Sequence, residues 1–464
     1  MILKTPIYAL LIVLCAFTAQ AQEIDFSKQY KEHTVHMLCQ LMNDFYVHAD
    51  LAKKTETHLL KQLADGHFNQ FTSDEELAKA LTESVQSINK DKHMRISVKP
   101  PYEEQENSPE RMIAEKLYNL ERSKNFNVGF NSVKVMEGNI GYLDLRGFAG
   151  VGSGKEMADA YMKLIANTDA VIIDLSKNGG GDPAMVQYLC SYFFDGGVHL
   201  NSLYFREGDR TMDFHTFDDV DGKKMIDTPL FVITGEKTFS GAEEFSYNMQ
   251  TQKRATLVGQ TTGGGANPGG TRAINDNLFV FIPTGMAINP ITKTNWEGVG
   301  VIPEIKTTLE ETLTKTHELA KEAAENRRDE LKKSYTTTYM SLVSLLDVYT
   351  KDKSEKNILH TLQDISDKGL LQEWDINGMG YEYLMQLQKP DIALCIFRAN
   401  TIIHNESANV HDSYAEALMM QGNLEESKVN YQKAIDLAIK HEDENLQLFK
   451  KNLQKVTDIM AEKK

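Results

Sequence analysis

The sequence predicts an α/β core preceded by a helical domain and followed by an all-helical repeat domain, and three observations carry that prediction. Between residue 139 and about 282, short apolar runs alternate with amphipathic stretches, as in sheets built from crossover units. Residues 26 to 90 place their apolar side chains at helical spacing. In the last third, matching residues recur at a separation of 34 positions.

At 464 residues the chain exceeds a single core, and roughly three domains of about 150 residues are expected. Its net charge of −16, with 66 acidic against 50 basic residues and no Lys/Arg cluster, excludes nucleic acid as a partner. At the N-terminus, Lys4, an apolar stretch from Tyr8 to Phe17, and Ala19, Gln20 and Ala21 match a secretory signal cut after Ala21. A transmembrane anchor needs about 20 apolar residues and this stretch is shorter. A lipoprotein signal at Cys15 is disfavoured by Leu14 before it. The expectation is an exported protein, periplasmic or extracellular, with no stable membrane span. The remaining Cys39, Cys190 and Cys395 are odd in number and scattered, which is no disulfide framework. No CxxC or HExxH motif occurs, so neither metal nor cofactor is expected.

The domains are placed at 22–118 (helical, carrying a histidine loop), 119–310 (α/β core), 311–345 (a linking helix leading away from the sheet) and 346–464 (helical repeats). In the first, His33, Val35, Leu38, Met42 and Phe45, then Leu59, Leu60 and Leu63, mark helical faces. Ser73 with Glu76 forms a capping box ahead of Leu77, Leu81, Val85 and Ile88. A polar turn, Asn89 to Lys92, puts His93 on a loop before an alternating strand with Met94, Ile96 and Val98. Residues 101–125 read as a connector with a short helix.

In the core, NIGYLDLRGF is a strand from Asn139, GSGKEMADAYMKLIA a helix, and DAVIIDL a strand whose unbroken apolar run suits a sheet covered on both faces. A helix from Pro183 to Phe194, the LFVITG strand, a helix after Ser240, and the ATLVG and LFVFIP strands follow. Gly179 to Gly181, after the DAVIIDL strand, permit positive φ and close backbone approach, which a tight turn or an oxyanion site both exploit. A second glycine-rich segment, Gln260 to Gly270, reads as a loop lining a cleft. Neither has the lysine of a phosphate loop.

Ser240 stands where the strand Leu230–Ile233 gives way, past Gly235, to Glu243, Glu244 and Phe245, the first turn of a helix. A serine there displays its hydroxyl beyond the sheet, beside helix amides able to meet an oxyanion. Ser240 and Glu243 also spell a capping box, in which the serine only satisfies an amide.

In the C-terminal region Gln388 and Gly422, Ala393 and Ser427, and Phe397 and Tyr431 are each 34 positions apart. Tyr414, Ala415, Ala417, Leu418, Gly422, Tyr431, Ala434 and Ile435 sit where a tetratricopeptide unit wants small and aromatic residues, and residues 374–440 resemble such repeats. Repeats of this kind bind a protein partner or cap a neighbour.

DKH at 91–93, DLSKNGGG at 174–181, TFSGAEE at 238–244 and NWEGVGVIPE at 295–304 resemble, in order and spacing, the tail-specific (C-terminal processing) serine peptidases, in the branch of interphotoreceptor retinoid-binding protein and the tricorn core. The resemblance spans about residues 26–310. It implies a crotonase-like, ClpP-like α/β peptidase core, with Ser240 as nucleophile, His93 as general base and Glu297 as its acid partner. Gly180, Gly241 and Gly181 become the oxyanion and substrate-binding residues. Gly264 stands where bacterial relatives carry the lysine of a Ser-Lys pair, Lys92 where tricorn-like relatives carry a relay serine, and Ser176 where an arginine is usual. The segment between His93 and Asn139 is too short for the PDZ domain that holds substrate in many relatives. The implied activity is hydrolysis of unstructured peptides or proteins through an acyl-enzyme. The alternative on the same fold is a non-catalytic carrier of hydrophobic ligands. A third possibility puts the function in the repeats, with the peptidase fold as scaffold.

Overall fold

The computed structural model describes residues 27–99, 108–349 and 351–462, so the expected signal peptide lies outside the described residues. The chain divides into two compact units, one ending at Glu325 and the other beginning at Asn326.

The first unit opens with helices α1 (Lys28–Phe45), α2 (Ala49–Ala64) and α3 (Asp74–Asn89). Ser27 and Ser73 cap α1 and α3 by accepting the amides of Tyr30 and Glu76, and the Glu76 carboxylate reaches back to the amide of Thr72. Lys90 ends α3 in the left-handed region, at φ 59°, and releases the chain into the loop bearing His93. Strand β1 (Ile96–Val98) and helix α4 (Pro109–Phe126) follow.

From there the order is β2 (Phe130–Met136), β3 (Ile140–Leu145), α5 (Val151–Ile165), β4 (Ala170–Asp174), α6 (Pro183–Cys190), β5 (His199–Phe205), β6 (Arg210–His215), β7 (Leu230–Thr234), α7 (Gly241–Thr251), β8 (Thr256–Gly259), β9 (Gly269–Ala273), β10 (Leu278–Pro283), β11 (Gly285–Ile288), β12 (Ile305–Lys306) and α8 (Leu309–Asp347). A central six-stranded sheet runs β12-β8-β7-β4-β3-β2, parallel throughout except where β2 pairs antiparallel with β3. Alternate residues of each strand face opposite sides. Val171, Ile173 and Val232 meet Met162, Val186 and Phe245 of α5, α6 and α7, whereas Ala170, Ile172 and Phe231 meet Ala320 and Ala324 of α8. The unbroken apolar run of β4 is thus covered on both faces, as expected.

Several features depart from the sequence reading. The stretch from Leu309 starts along the sheet: Leu313, Ala320 and Ala324 pack on it, so small residues on one stripe seat this helix where an exit from the domain was expected. The strand Leu278–Pro283 belongs to a separate antiparallel sheet, β1-β10-β9, in which Ile96 pairs with Val280. Its Leu278, Val280 and Ile282 complete the core of the N-terminal helices with Leu38, Leu59, Leu81 and Met94, so the border expected at 118 does not separate two cores. A third sheet, β11-β5-β6, contains a hairpin with no counterpart in the sequence reading, and α6 stops at Cys190 rather than Phe194.

The second unit is helical: the end of α8, then α9 (Lys351–Asp367), α10 (Glu373–Tyr381) extended by a wider turn over Glu382–Gln386, α11 (Pro390–Ile403), α12 (Ala408–Met420), α13 (Leu424–Lys440) and α14 (Leu446–Glu462). Gln388, before α11, and Gly422, before α13, both take left-handed φ, 51° and 78°. Phe397 and Tyr431 are buried at equivalent places, and Tyr381 meets Phe397 edge-on at 5.0 Å.

Candidate active site

Ser240 lies between β7 and α7 with φ 52° and ψ −122°, a conformation that costs a non-glycine residue about 1–3 kcal/mol and persists only where its surroundings enforce it. Two sets of hydrogen bonds enforce it here. Asn178, fully buried, accepts the Phe239 amide on its carbonyl (3.0 Å) and donates its side chain to the Leu145 carbonyl, tying the turn to the end of β3, two strands away in the sheet. Glu243, also fully buried, accepts the amides of Ser240 (2.9 Å), Gly264 (2.6 Å) and Gly265 (2.8 Å) and the hydroxyl of Thr262. The glutamate half of the capping box is therefore made, and the same carboxylate clamps the second glycine-rich loop against the serine turn. Burial nevertheless raises the Glu243 carboxyl above its ordinary value, against the pull of those donors.

The first glycine loop presses on the same turn. A Cβ at Gly180, where φ is +102°, would come within 2.8 Å of the Gly241 nitrogen and of the Ser240 Cβ. The Gly180 amide, however, donates to the Asn178 side chain (2.8 Å), so it is already engaged. Among the described residues the amides of Gly181 and Gly241 make no hydrogen bond. A Cβ on Gly241 would lie 3.1 Å from the Gly181 nitrogen, which puts the two backbones side by side.

His93 reaches this turn from the other side. Its ring packs on Phe239, the residue before Ser240, at 4.5 Å between centroids, and on Phe281 at 5.9 Å. Gly265 makes room: a Cβ there would fall 2.6 Å from the imidazole Cε1 and 2.3 Å from Phe239 Cζ. Among the described residues neither ring nitrogen has a hydrogen-bond partner, so the serine–histidine bond is not made in this geometry. Burial pulls the imidazole below its ordinary value, Asp91 works against that, and Arg95 adds to it.

Side-chain oxygen and nitrogen atoms of Asp91, His93 and Glu297 all lie within 4.8 Å of one another, which puts Glu297 beside the imidazole without a hydrogen bond to it. Lys92, at the position of the expected relay serine, extends its ammonium to the Gly263 carbonyl (2.6 Å). Trp296 is buried and donates to the Gly265 carbonyl (2.7 Å), while Glu297 accepts the Ala266 amide (2.6 Å). Burial first, and Asp91 second, push the Glu297 carboxyl up to about 8. Ser176, where an arginine was noted as usual, donates its hydroxyl to Asp174 on the sheet edge.

The structure thus assembles Ser240, Gly180, Gly181 and Gly241 at one turn and His93 and Glu297 beside it. Sequence reasoning passed over Asp91 and Asn178 as participants, although DKH and KNGGG both contained them; a short polar side chain two residues from a key position is the available signal. Glu243 was noticed only as a cap.

Fold and turn define a class, hydrolases that present a serine at a strand-to-helix junction, and the family comparison narrows it. Residues 139–307 match the model of peptidase family S41, and residues 17–126 match the N-terminal domain described for this family in eukaryotic IRBP. The chain belongs to peptidase family S41 and is a serine-type peptidase. Among solved structures it is similar to a candidate peptidase from Parabacteroides merdae (16% identity, covering 62% of this chain and 96% of that one, TM-score 0.46). It is also similar to the photosystem II D1 C-terminal processing protease (13%, 61% and 93%, 0.39) and to the tricorn protease (15%, 64% and 37%, 0.40).

Proposed function

We propose that the chain is an exported endopeptidase that cleaves unstructured polypeptides through an acyl-enzyme, with Ser240 as nucleophile, His93 as general base and Glu297 in the acid cluster beside it. The observation that carries this reading is the enforced backbone of Ser240. Asn178 and Glu243 hold a non-glycine residue at φ 52°, against two glycines with unengaged amides and beside an imidazole packed at a tilt on the preceding residue. A cap alone does not require such strain, because capping residues ordinarily adopt extended φ and ψ.

In the first step the Ser240 hydroxyl attacks the scissile carbonyl carbon while its proton passes to a ring nitrogen of His93. The imidazole is neutral near pH 7, since burial lowers its proton affinity, and is therefore ready to accept. Proton transfer requires the ring to bring a nitrogen to the Ser240 hydroxyl, and substrate that displaces water from the cleft favours that contact. The developing oxyanion is received by the amides of Gly181 and Gly241, while Gly180, whose amide serves Asn178, shapes the loop that presents them. His93 then returns the proton to the leaving amine, and water repeats the sequence to free the acid product.

Export is read from the leader-like N-terminus, and the paired left-handed turns at Gln388 and Gly422 support a helical repeat, a kind of unit that binds a protein partner or caps a neighbour. A fluorophosphonate probe tests the chemistry: the wild-type chain is labelled, and Ser240→Ala and His93→Ala are not. Equal labelling of wild type and Ser240→Ala refutes this serine as the nucleophile.

A further inference from the structure

We propose that Asp91 is the positioning residue of this site: its carboxylate, rather than that of Glu297, orients His93 and faces the charge on its ring, and Glu297 stands beside it as a neutral acid. The inference rests on the peptidase reading above and divides the work between two carboxyl groups that the reading leaves equivalent.

Asp91 occupies the loop between α3 and β1, two positions before His93, and is 1% exposed. Its Oδ1 accepts the His93 amide at 3.0 Å and lies 3.8 Å from the imidazole Nδ1, so one oxygen addresses both the backbone and the ring of the same residue. Its Oδ2 accepts the Asn267 side-chain amide at 2.9 Å and the Tyr46 hydroxyl at 3.3 Å. Three donors from three separate elements therefore stabilise a negative charge there. Glu297 is placed differently. Its Oε2 accepts the Ala266 amide, while its Oε1 is out of reach of solvent and has no partner.

Two carboxylates this close and this buried do not both ionise; one proton stays with the pair. It resides on the member with fewer donors, which is Glu297. The raised affinity of Glu297 for its proton, with burial and Asp91 as leading causes, agrees with this assignment. The other charged groups facing the cluster do not reverse it. Arg95 lowers the imidazole, Glu243 repels a charge on Glu297, burial lowers His48 against the pull of Asp91, and the Lys92 ammonium is committed to the Gly263 carbonyl. When Ser240 gives its proton to the ring, the imidazolium forms opposite Asp91. The proton then leaves with the amine, and neither carboxyl group changes its own protonation through the cycle.

Two measurements on the full chain test the assignment. In a Ser240→Ala background, the His93 ring resonances are titrated by NMR. Asp91→Asn moves the midpoint down by about 1–2 pH units, because an adjacent anion is lost, and Glu297→Gln leaves it within a few tenths. In the active chain, with a fluorogenic unstructured peptide, Asp91→Asn lowers kcat by about 10³–10⁴-fold with KM unchanged, as expected for a misoriented imidazole. Glu297→Gln lowers kcat by only about tenfold, far less than Asp91→Asn, because the imidazole keeps its neighbouring anion. The reverse pattern, with Glu297→Gln moving the midpoint and collapsing kcat while Asp91→Asn spares both, overturns the proposal. A wild-type chain that neither labels with fluorophosphonate nor cleaves peptide would instead refute the peptidase reading, and the NMR titration would still decide which carboxylate sets the charge of His93.

Discussion

The serine side and the histidine side of the site are built on opposite plans. Around Ser240 the side chains that shape the turn are committed: Glu243 takes four donors, Asn178 uses its carbonyl and both ends of its side chain, and backbone strain is held by that network. Around His93 groups are left open: both ring nitrogens and one oxygen of Glu297 are buried without partners. Unpaired buried polar atoms each cost about 1–3 kcal/mol, so they persist where something other than stability is served. The difference teaches that the nucleophile is held in place before substrate arrives, whereas the base is left able to turn and to exchange a proton.

The largest expected effect falls on the committed side. Ser240→Ala lowers kcat by about 10⁶-fold in peptide hydrolysis assays while leaving the urea midpoint within experimental spread, because the clamp uses the backbone amide and not the hydroxyl. Retained turnover would show that the strain serves packing. Glu243→Gln sharpens the same point through stability. An amide nitrogen would be turned toward amide and hydroxyl donors, and the loss is about 4 kcal/mol in urea unfolding, more than any single change on the histidine side.

The adjacent Glu244 supplies a control on one helix turn. It is fully buried, and burial pushes its carboxyl up to about 7, above the ordinary 4.5. Folding therefore favours its neutral form. Below pH 4.5 the group costs nothing, and the penalty grows as pH rises until it passes 7, where the carboxylate is ionised in both states. Glu244→Gln should stabilise the chain by about 3 kcal/mol at pH 8 and hardly at all at pH 4, read from unfolding curves at the two values. Equal effects at both would remove the charge explanation. The smallest of the four effects concerns the open side: Gly265→Ala drives a methyl into the imidazole and Phe239 and lowers kcat/KM by about 100-fold, with KM little changed.

Much of the site could be read along the chain because its pieces are local. The capping pattern at Ser240 and Glu243, the glycine runs and the turn before His93 each lie within a few residues, and each formed where expected, except that Ser240 gives no side-chain cap. What escaped depends on distant partners. The strand Leu278–Pro283 has the composition of a core strand, but it pairs with Ile96–Val98, far away in sequence, and thereby carries the histidine loop to the sheet. The Gly180 amide looked available until Asn178 was seen to occupy it. The stretch after Leu309 looked like a departing linker because its small residues, Ala320 and Ala324, signal burial only when a sheet lies beneath them.

By itself the sequence determined the N-terminal helices, the core strands β3, β4, β7 and β8, where the serine and histidine stand at element ends, and the acidic, cysteine-poor character of the chain, because these follow from periodicity, short-range capping and composition. Only the tertiary structure decided which carboxyl groups meet the imidazole, which amides stay unengaged, and which face of each helix is covered. Those outcomes depend on burial and on hydrogen-bond competition between groups that are remote in the chain, and no local pattern encodes them.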